Sequence, residues 1–453
     1  MPTLKSDPQE PQAFFSTLCQ QVLTRLSHLD QLDAEALARA SGFLERSPRK
    51  IPMDDFLKGL LAVAPETNLS LEHIAKVIAL AAHTTYTKQS LDERLSPSLE
   101  VFLASVITAL FGQLDHLLPL GNAFEAFARV LVQDSTSEGL PKHLAALFPG
   151  AGNQYGQDYA TLKVQWITDL KNSAVEHVSI SGFTRNDQAA SPDILDVARP
   201  GDLVLRDLGY FVPVVLAKLA QAHIFFLSRY RHGVNLHDLK TDKPLNLKAL
   251  LKSSGSLDLE VLLGPERVPV RLVALPVPEE VANLRRHKAK TSAQRRRRSP
   301  PGAEHLFLMA WNLFVTNVPA ATWRPKILVL VYRLRWRIEI IFKTWKSHLG
   351  LRQLNCRTAV LLQLSLLTKL LFCALVCQLT DLLELVCAPD EHVSLLRVGR
   401  ILGQFGCWFS ATVLGISVAR WLEFNLARHA FYERRPDRKN YYELLSQAGR
   451  ALA

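Results

Sequence analysis

The chain has 453 residues, and several things are missing from it. Residues 1–11 are polar and hold no apolar leader core, so export is not expected. The six cysteines (Cys19, Cys356, Cys373, Cys377, Cys387 and Cys407) show none of the paired short spacings of a zinc site. They lie in apolar, helix-patterned sequence and read as reduced, mostly buried thiols of a cytoplasmic protein. Cys373 and Cys377, four apart on one helix face, read as packing, with a ligand pair as the other reading. The most apolar stretch, 358–385, is interrupted by Lys369, Asp381 and Glu384, so no membrane span is expected there. Aromatic residues are sparse at 8%, thin for a sugar-binding cleft, and no internal repeat is visible.

What is present points elsewhere. Hydrophobic residues reach 48% and charged residues 21%, which excludes disorder over most of the length. The length suggests two to four domains at roughly 100–200 residues each. Fifty-three Lys and Arg against 42 Asp and Glu leave a formal charge of +11, a surplus that favours polyanionic partners such as nucleic acid.

From residue 11 to 133 the apolar spacing is helical. Two short helices meet near 84–87, with Ser70 as N-cap and Glu72 and Glu93 near helix starts. Ile74, Val77 and Ile78 face a core there, leaving His83, Lys88 and Arg94 outside. That pattern suits a helix-turn-helix reader of DNA and equally an ordinary helical hairpin. Near residue 128 the period changes. Strands are expected at 129–133, ending in Asp134, at 160–168, at 174–181, at 202–206, ending in Asp207, and at 223–227. Short helices are expected at 192–198 and 212–222. Further strands fall at 257–263, 268–275 and 311–316. Arg285, Arg286, Lys288, Lys290, Arg295, Arg296, Arg297 and Arg298 form a run without a single acid. It reads as a solvated loop that binds phosphate, although its letters also suit a nuclear-localisation signal. A long helix is expected over 325–349, then mostly helical sequence to the end.

Residues 332–346, YRLRWRIEIIFKTWK, carry the chemistry. At about 100° per residue, Arg335, Glu339 and Lys346 fall within roughly 60° of Tyr332, along about 21 Å of one helix face. Leu334, Ile338, Ile341, Phe342 and Trp345 form an apolar stripe beside them. Alone, this describes an amphipathic helix with an Arg–Glu ion pair of a few tenths of a kcal/mol. Together with two aspartates at strand ends it describes something else. Three carboxylates meeting at one place need divalent cations between them, as two-metal phosphoryl transfer requires. Carboxylate oxygens suit Mg²⁺, with Mn²⁺ as substitute.

Tyr332-x2-Arg335-x3-Glu339-x6-Lys346 resembles the C-terminal signature of the DDE transposases of bacterial cut-and-paste insertion sequences, complete in residue type and spacing. Asp134-Ser135-Thr136 followed by Leu140-Pro141 resembles their first aspartate motif, with Ser135 where many relatives carry Gly. Asp207-x-Gly209-Tyr210 resembles the second. The likeness covers roughly residues 60–450. It implies a ribonuclease H-like α/β core, a mixed sheet flanked by helices, at 126–230 and 311–355. A β-rich basic insertion (231–310) would interrupt that core, between a helical DNA-binding domain (1–125) and a helical C-terminal region (356–453). It further implies Asp134, Asp207 and Glu339 as the metal-binding catalytic triad for two Mg²⁺. Tyr332, Arg335 and Lys346 would hold phosphates of the DNA end, Arg229 would contact DNA, and Trp311 would stack on a flipped base. Asp158 and Asp169 compete with Asp134, and a buried core tryptophan competes with the stacking role of Trp311. Double-stranded DNA, at the element ends and the target, and a second copy in the synaptic complex are the implied partners, with no membrane. The alternatives are a transposase-derived DNA-binding protein that no longer cuts and a glycoside hydrolase using two carboxylates.

Overall fold

A computed structural model describes residues 33–45, 51–64, 66, 69–112, 122–151, 159–354, 358–387, 391–403, 425–426, 429–432 and 439–450. Among the described residues, five helices come first: α1 (Ala34–Ala40), α2 (Met53–Val63), α3 (Leu71–Ala81), α4 (Lys88–Asp92) and α5 (Pro97–Gly112). Strands β1 (Val130–Leu140), β2 (Ala160–Asp169) and β3 (Val175–Gly182) follow. Next come α6 (Ile194–Val197), β4 (Leu203–Arg206), α7 (Pro213–Gln221), β5 (Phe225–Arg229) and β6 (Leu236–Asp238). Then α8 (Leu247–Ser254), β7 (Leu257–Leu263), β8 (Val268–Pro276), α9 (Glu279–Arg295), α10 (Ala303–Leu308) and β9 (Trp311–Thr316) lead to α11 (Pro325–Leu334) and α12 (Trp336–His348). The last are α13 (Ala359–Val386), α14 (Leu395–Leu402) and α15 (Tyr441–Arg450).

These residues form two compact units. One holds the described residues of 1–119, 135–185 and 337–440. Its helix starts are built locally: Ser70 Oγ accepts from His73 N (3.1 Å) at α3, and Thr87 Oγ1 from Ser90 N (3.2 Å) at α4. Gly59 on α2 lies so close to α3 that a Cβ there would stand 2.7 Å from Ile78 Cα. The 28-residue α13 is long and apolar enough to cross a membrane, yet 78% of its most apolar window is buried inside the protein. Its charges are answered within the unit. Lys369 Nζ donates to the carbonyls of Ala64 (3.0 Å) and Glu66 (2.5 Å), and Asp381 accepts from Arg337 Nη2 at 2.8 Å and from Ser173 Oγ. Trp166 on β2 and Trp345 on α12 are both buried, with ring centroids 6.3 Å apart.

The other unit holds the described residues of 120–134, 186–336 and 441–453. Here the first half of β1 begins a run of strands ordered β1-β4-β5-β9-β8-β7-β6. β1, β4 and β5 are parallel, and β9, β8, β7 and β6 add on antiparallel. Val130–Val132, Leu203–Leu205, Phe226 and Leu227 are buried on both faces, as expected of parallel strands between helices. Register is pinned where the strands start: the Arg129 guanidinium pairs with the buried Asp202 at 2.6 Å. Trp323 is fully buried and donates Nε1 to Ala123 O at 2.9 Å.

The mixed α/β class stands, and 257–263 and 311–316 are strands as read from sequence. Several expectations need correcting. The basic run over 285–298 is not a loop: most of it lies on α9, which starts after Pro278 with Glu279 and Glu280 in its first turn. Arg, Lys, Ala and Gln are good helix formers, and acids suit a helix start. The region 231–310 therefore holds more helix than strand, and its strands continue the sheet of β5 and β9. β1 does not end at Asp134 but continues to Leu140. The long helix breaks at Arg335, whose N–H bonds back to Tyr332 O over three residues. β5 begins two residues late, because His223 takes a left-handed φ of 55°. Glu93 caps the end of α4 instead of starting a helix, and Arg94 packs over the Phe56 and Tyr86 rings instead of standing free. Cys373 and Cys377 are buried free thiols in α13 and Cys387 a half-buried one; Cys19, Cys356 and Cys407 lie outside the described residues, as does Asp158.

Candidate active site

Two aspartates distant in sequence become neighbours through strand register. β1 and β4 pair with Gln133 opposite Arg206, and β4 and β5 with Arg206 opposite Ser228. The next residues on these three strands are Asp134, Asp207 and Arg229. Because side chains alternate and neighbouring strands lie about 4.8 Å apart, all three leave the same face in one row. That row lies just past the last paired residues of the parallel strands, on the carboxyl side of the parallel sheet, where open α/β sheets place their ligands.

The opposite face holds the row in place. Fully buried Arg206 donates Nη2 to Gln133 Oε1 (2.9 Å) and to Ser191 O and Oγ (both 2.8 Å). Gln133 in turn donates Nε2 to Ala190 O at 2.9 Å. Burial pushes the Arg206 guanidinium down to about 9, which leaves it charged at neutral pH. Sequence reading missed this tie: an arginine inside a strand before an aspartate looks like part of a surface, and nothing local reveals its partner 73 residues away.

The carboxylates are met by two members of the signature in the same unit. Asp134 Oδ2 pairs with Arg335 Nη1 at 2.9 Å, both side chains mostly buried. Tyr332 donates its hydroxyl to Asp207 Oδ1 at 3.2 Å, and its ring lies 5.2 Å from that of Phe314. Burial raises the Tyr332 phenol well above its ordinary range and the neighbouring Asp207 adds to the shift, so the phenol stays a donor. Gly209 explains its place in the second motif: a Cβ there would stand 2.9 Å from Asp187 Oδ2, a further carboxylate that sequence reading passed over. Asp169, the competitor of Asp134, is buried at the end of β2 and accepts the Lys171 amide at 3.0 Å, a local turn.

Glu339 and Lys346 belong to the other unit, on α12. Glu339 is half-buried in its first turn, while Ile338, Ile341, Phe342 and Trp345 form the buried stripe expected of them. Lys346 Nζ donates to Ser137 O at 2.6 Å and pairs with Glu138 at 3.4 Å, both on the second half of β1. Trp311 donates Nε1 to Gly255 O at 2.8 Å and packs 4.6 Å from Phe307. Arg229 stands close enough to Tyr332 and Arg285 to act on their charge states.

Among the described residues, no group of three or more His, Cys, Asp or Glu side chains gathers closely enough to hold a metal ion. Asp134 and Asp207 do offer hard oxygen donors side by side, with no sulfur or imidazole among them. That donor set fits Mg²⁺ or Mn²⁺.

Residues 125–377, more than half of the chain, match the model of the Transposase DDE domain. The transposase for insertion sequence element IS231C of Bacillus thuringiensis subsp. berliner is 28% identical over 346 residues, covering 71% of each chain. The transposase for IS231B of the same organism is 26% identical, over 75% of this chain and 73% of that one. The transposase for IS1151 of Clostridium perfringens is 25% identical, over 70% and 72%. A matched segment that takes in both register-paired aspartates, Tyr332, Arg335 and Glu339 places the chain in the DDE transposase family of insertion-sequence elements.

Proposed function

We propose that the protein binds the terminal inverted repeats of its element, cuts the DNA at its ends by metal-dependent phosphoryl transfer, and joins the freed 3′-hydroxyls to target DNA. The observation that carries this reading is the row Asp134–Asp207–Arg229 across β1, β4 and β5, two carboxylates and a cation on one face. Asp134 and Asp207, with Glu339 assigned from the signature, are the carboxylates that would hold two Mg²⁺. The ions, when bound, activate the attacking oxygen and stabilise the leaving one. The parallel strands β1, β4 and β5 with their helices support a ribonuclease H-like core.

The chain's own residues do the remaining work. Arg335 can donate to non-bridging phosphate oxygens in two-pronged fashion, and Tyr332, kept protonated, can donate to one when its hydroxyl turns from Asp207. Arg229, next in the row, supplies a fixed positive charge at the same strand ends. Lys346 adds a point charge from α12. Trp311, with its indole N–H already engaged, has only a ring face to offer a displaced base. A second copy in the synaptic complex belongs to the same proposal.

The test is a cleavage assay on a linear fragment carrying the element's ends, with and without Mg²⁺. Asp207→Asn and Glu339→Gln should abolish nicking while leaving end binding largely intact. Mg²⁺-dependent cutting by either variant would overturn the assignment. End binding without cutting by the wild-type chain would favour a transposase-derived DNA-binding protein instead.

A further inference from the structure

The row of strand ends leads on to α9, a helix that core packing does not explain. β8 finishes at Pro276 opposite Trp311, where β9 begins, and Arg229 at the end of β5 lies opposite Phe314 of β9. α9 thus springs from the same end of the sheet as Asp134, Asp207 and Arg229, two to four strand spacings, about 10–19 Å, to one side. It has 17 residues, about 26 Å of length, and buries only Ala282. A helix polar nearly all round has no hydrophobic reason to lie where it does.

Two arginines fix it instead. Arg285 donates Nη1 to Trp311 O (3.2 Å) and Nη2 to Asn312 Oδ1 (2.7 Å), and Arg286 donates to Leu306 O (3.2 Å) and Glu279 Oε1 (2.6 Å). Half-burial lowers the Arg285 guanidinium, and Arg229 beside it adds to the effect. The other six cations of the run, Lys288, Lys290, Arg295, Arg296, Arg297 and Arg298, are all exposed. Residues 281–303 contain no Asp or Glu to answer them. Arg297 takes a left-handed φ of 50°, turning the chain so that the four arginines crowd the end of the helix.

We infer that α9 and the 295–298 turn form a second DNA-binding surface. Arg285 pegs the helix to the strand that carries Trp311 and Arg286 pegs it to the Leu306 carbonyl on α10, while the six outward cations contact backbone phosphates of duplex DNA to the side of the carboxylate row. The inference rests on duplex DNA as the partner and not on which carboxylates hold metal. Contacts of this kind are to backbone and carry no sequence preference.

The experiment is fluorescence anisotropy of the full chain with a labelled 40-bp duplex of arbitrary sequence, in EDTA, at a series of salt concentrations. Replacing the six exposed cations by Gln should make the slope of log K against log salt shallower by about 3 to 5, each lost phosphate contact accounting for about 0.9. Arg285→Gln should move the slope by less than about one, since that side chain is engaged with Trp311 and Asn312. A second variant, K288E/K290E, leaves the arginine turn intact; it should also bind more weakly, with unchanged circular dichroism. An unchanged slope in the six-site variant, or an equal change from Arg285→Gln, would overturn the inference. Because no metal is present, neither outcome depends on Asp134, Asp207 or Glu339.

Discussion

Asp381 interrupts the most apolar stretch of the chain, and its replacement gives the sharpest test of how α12 is held. Its side chain is fully buried, accepting from Arg337 Nη2 at 2.8 Å and from Ser173 Oγ, and the Arg337 side chain is only 2% exposed. Asp381→Leu restores an apolar helix face but leaves a guanidinium without its carboxylate where water does not reach. Removing one partner of such a pair costs about 3–5 kcal/mol, and the stranded Ser173 hydroxyl adds roughly 1 kcal/mol. For a unit of about 270 residues this corresponds to a fall in Tm of about 10 °C. The melt can be followed by tryptophan fluorescence, since Trp166 and Trp345 are both buried in the unit concerned. Changing both partners, Arg337→Met with Asp381→Leu, removes the buried charge altogether and should recover at least about 2 kcal/mol of the loss. If the single change costs less than about 1 kcal/mol, or the double variant is no better than the single, the ion pair does not anchor α12 and the argument fails.

Three more outcomes follow from named contacts. Gly59→Ala should destabilise the helical unit by about 1–3 kcal/mol in guanidinium unfolding, because its methyl would stand 2.7 Å from Ile78 Cα on α3. Ser70→Ala should cost about 1 kcal/mol through the lost cap on His73 N, with Ser70→Asp close to neutral; equal losses from both would rule out capping as the cause. Lys346→Ala should weaken binding to element ends and lower its salt slope by about one unit; an unchanged slope would confine Lys346 to its contacts with Ser137 and Glu138.

Sequence reading went furthest where local physics decides. The alternation in β7 and the apolar stripe of α12 were legible because burial leaves a period in the letters. It went wrong where polar sequence still has a structural role. Residues 134–140, DSTSEGL, fall beyond the strand end expected at Asp134, yet β1 continues through them. The basic run read as a loop because eight like charges suggest solvent, although Glu279, Glu280 and the helix-forming composition were in plain view. In the candidate site, the motifs gave the residue types and their order. They could not give partners: that Arg335 pairs with Asp134 across 201 residues, or that Arg206 grips Gln133 across 73, is a product of topology.

The double fastening of β1 to β4, Arg129 to Asp202 where they start and Arg206 to Gln133 where they finish, limits how sequences of this kind can drift in length. Adding or deleting one residue between 130 and 134, or between 203 and 207, would turn an aspartate to the wrong side of the sheet and break a clasp at the same stroke. Insertions and deletions should therefore collect in connecting segments such as 141–151 and 183–190, while these two five-residue stretches keep their spacing even where their letters change.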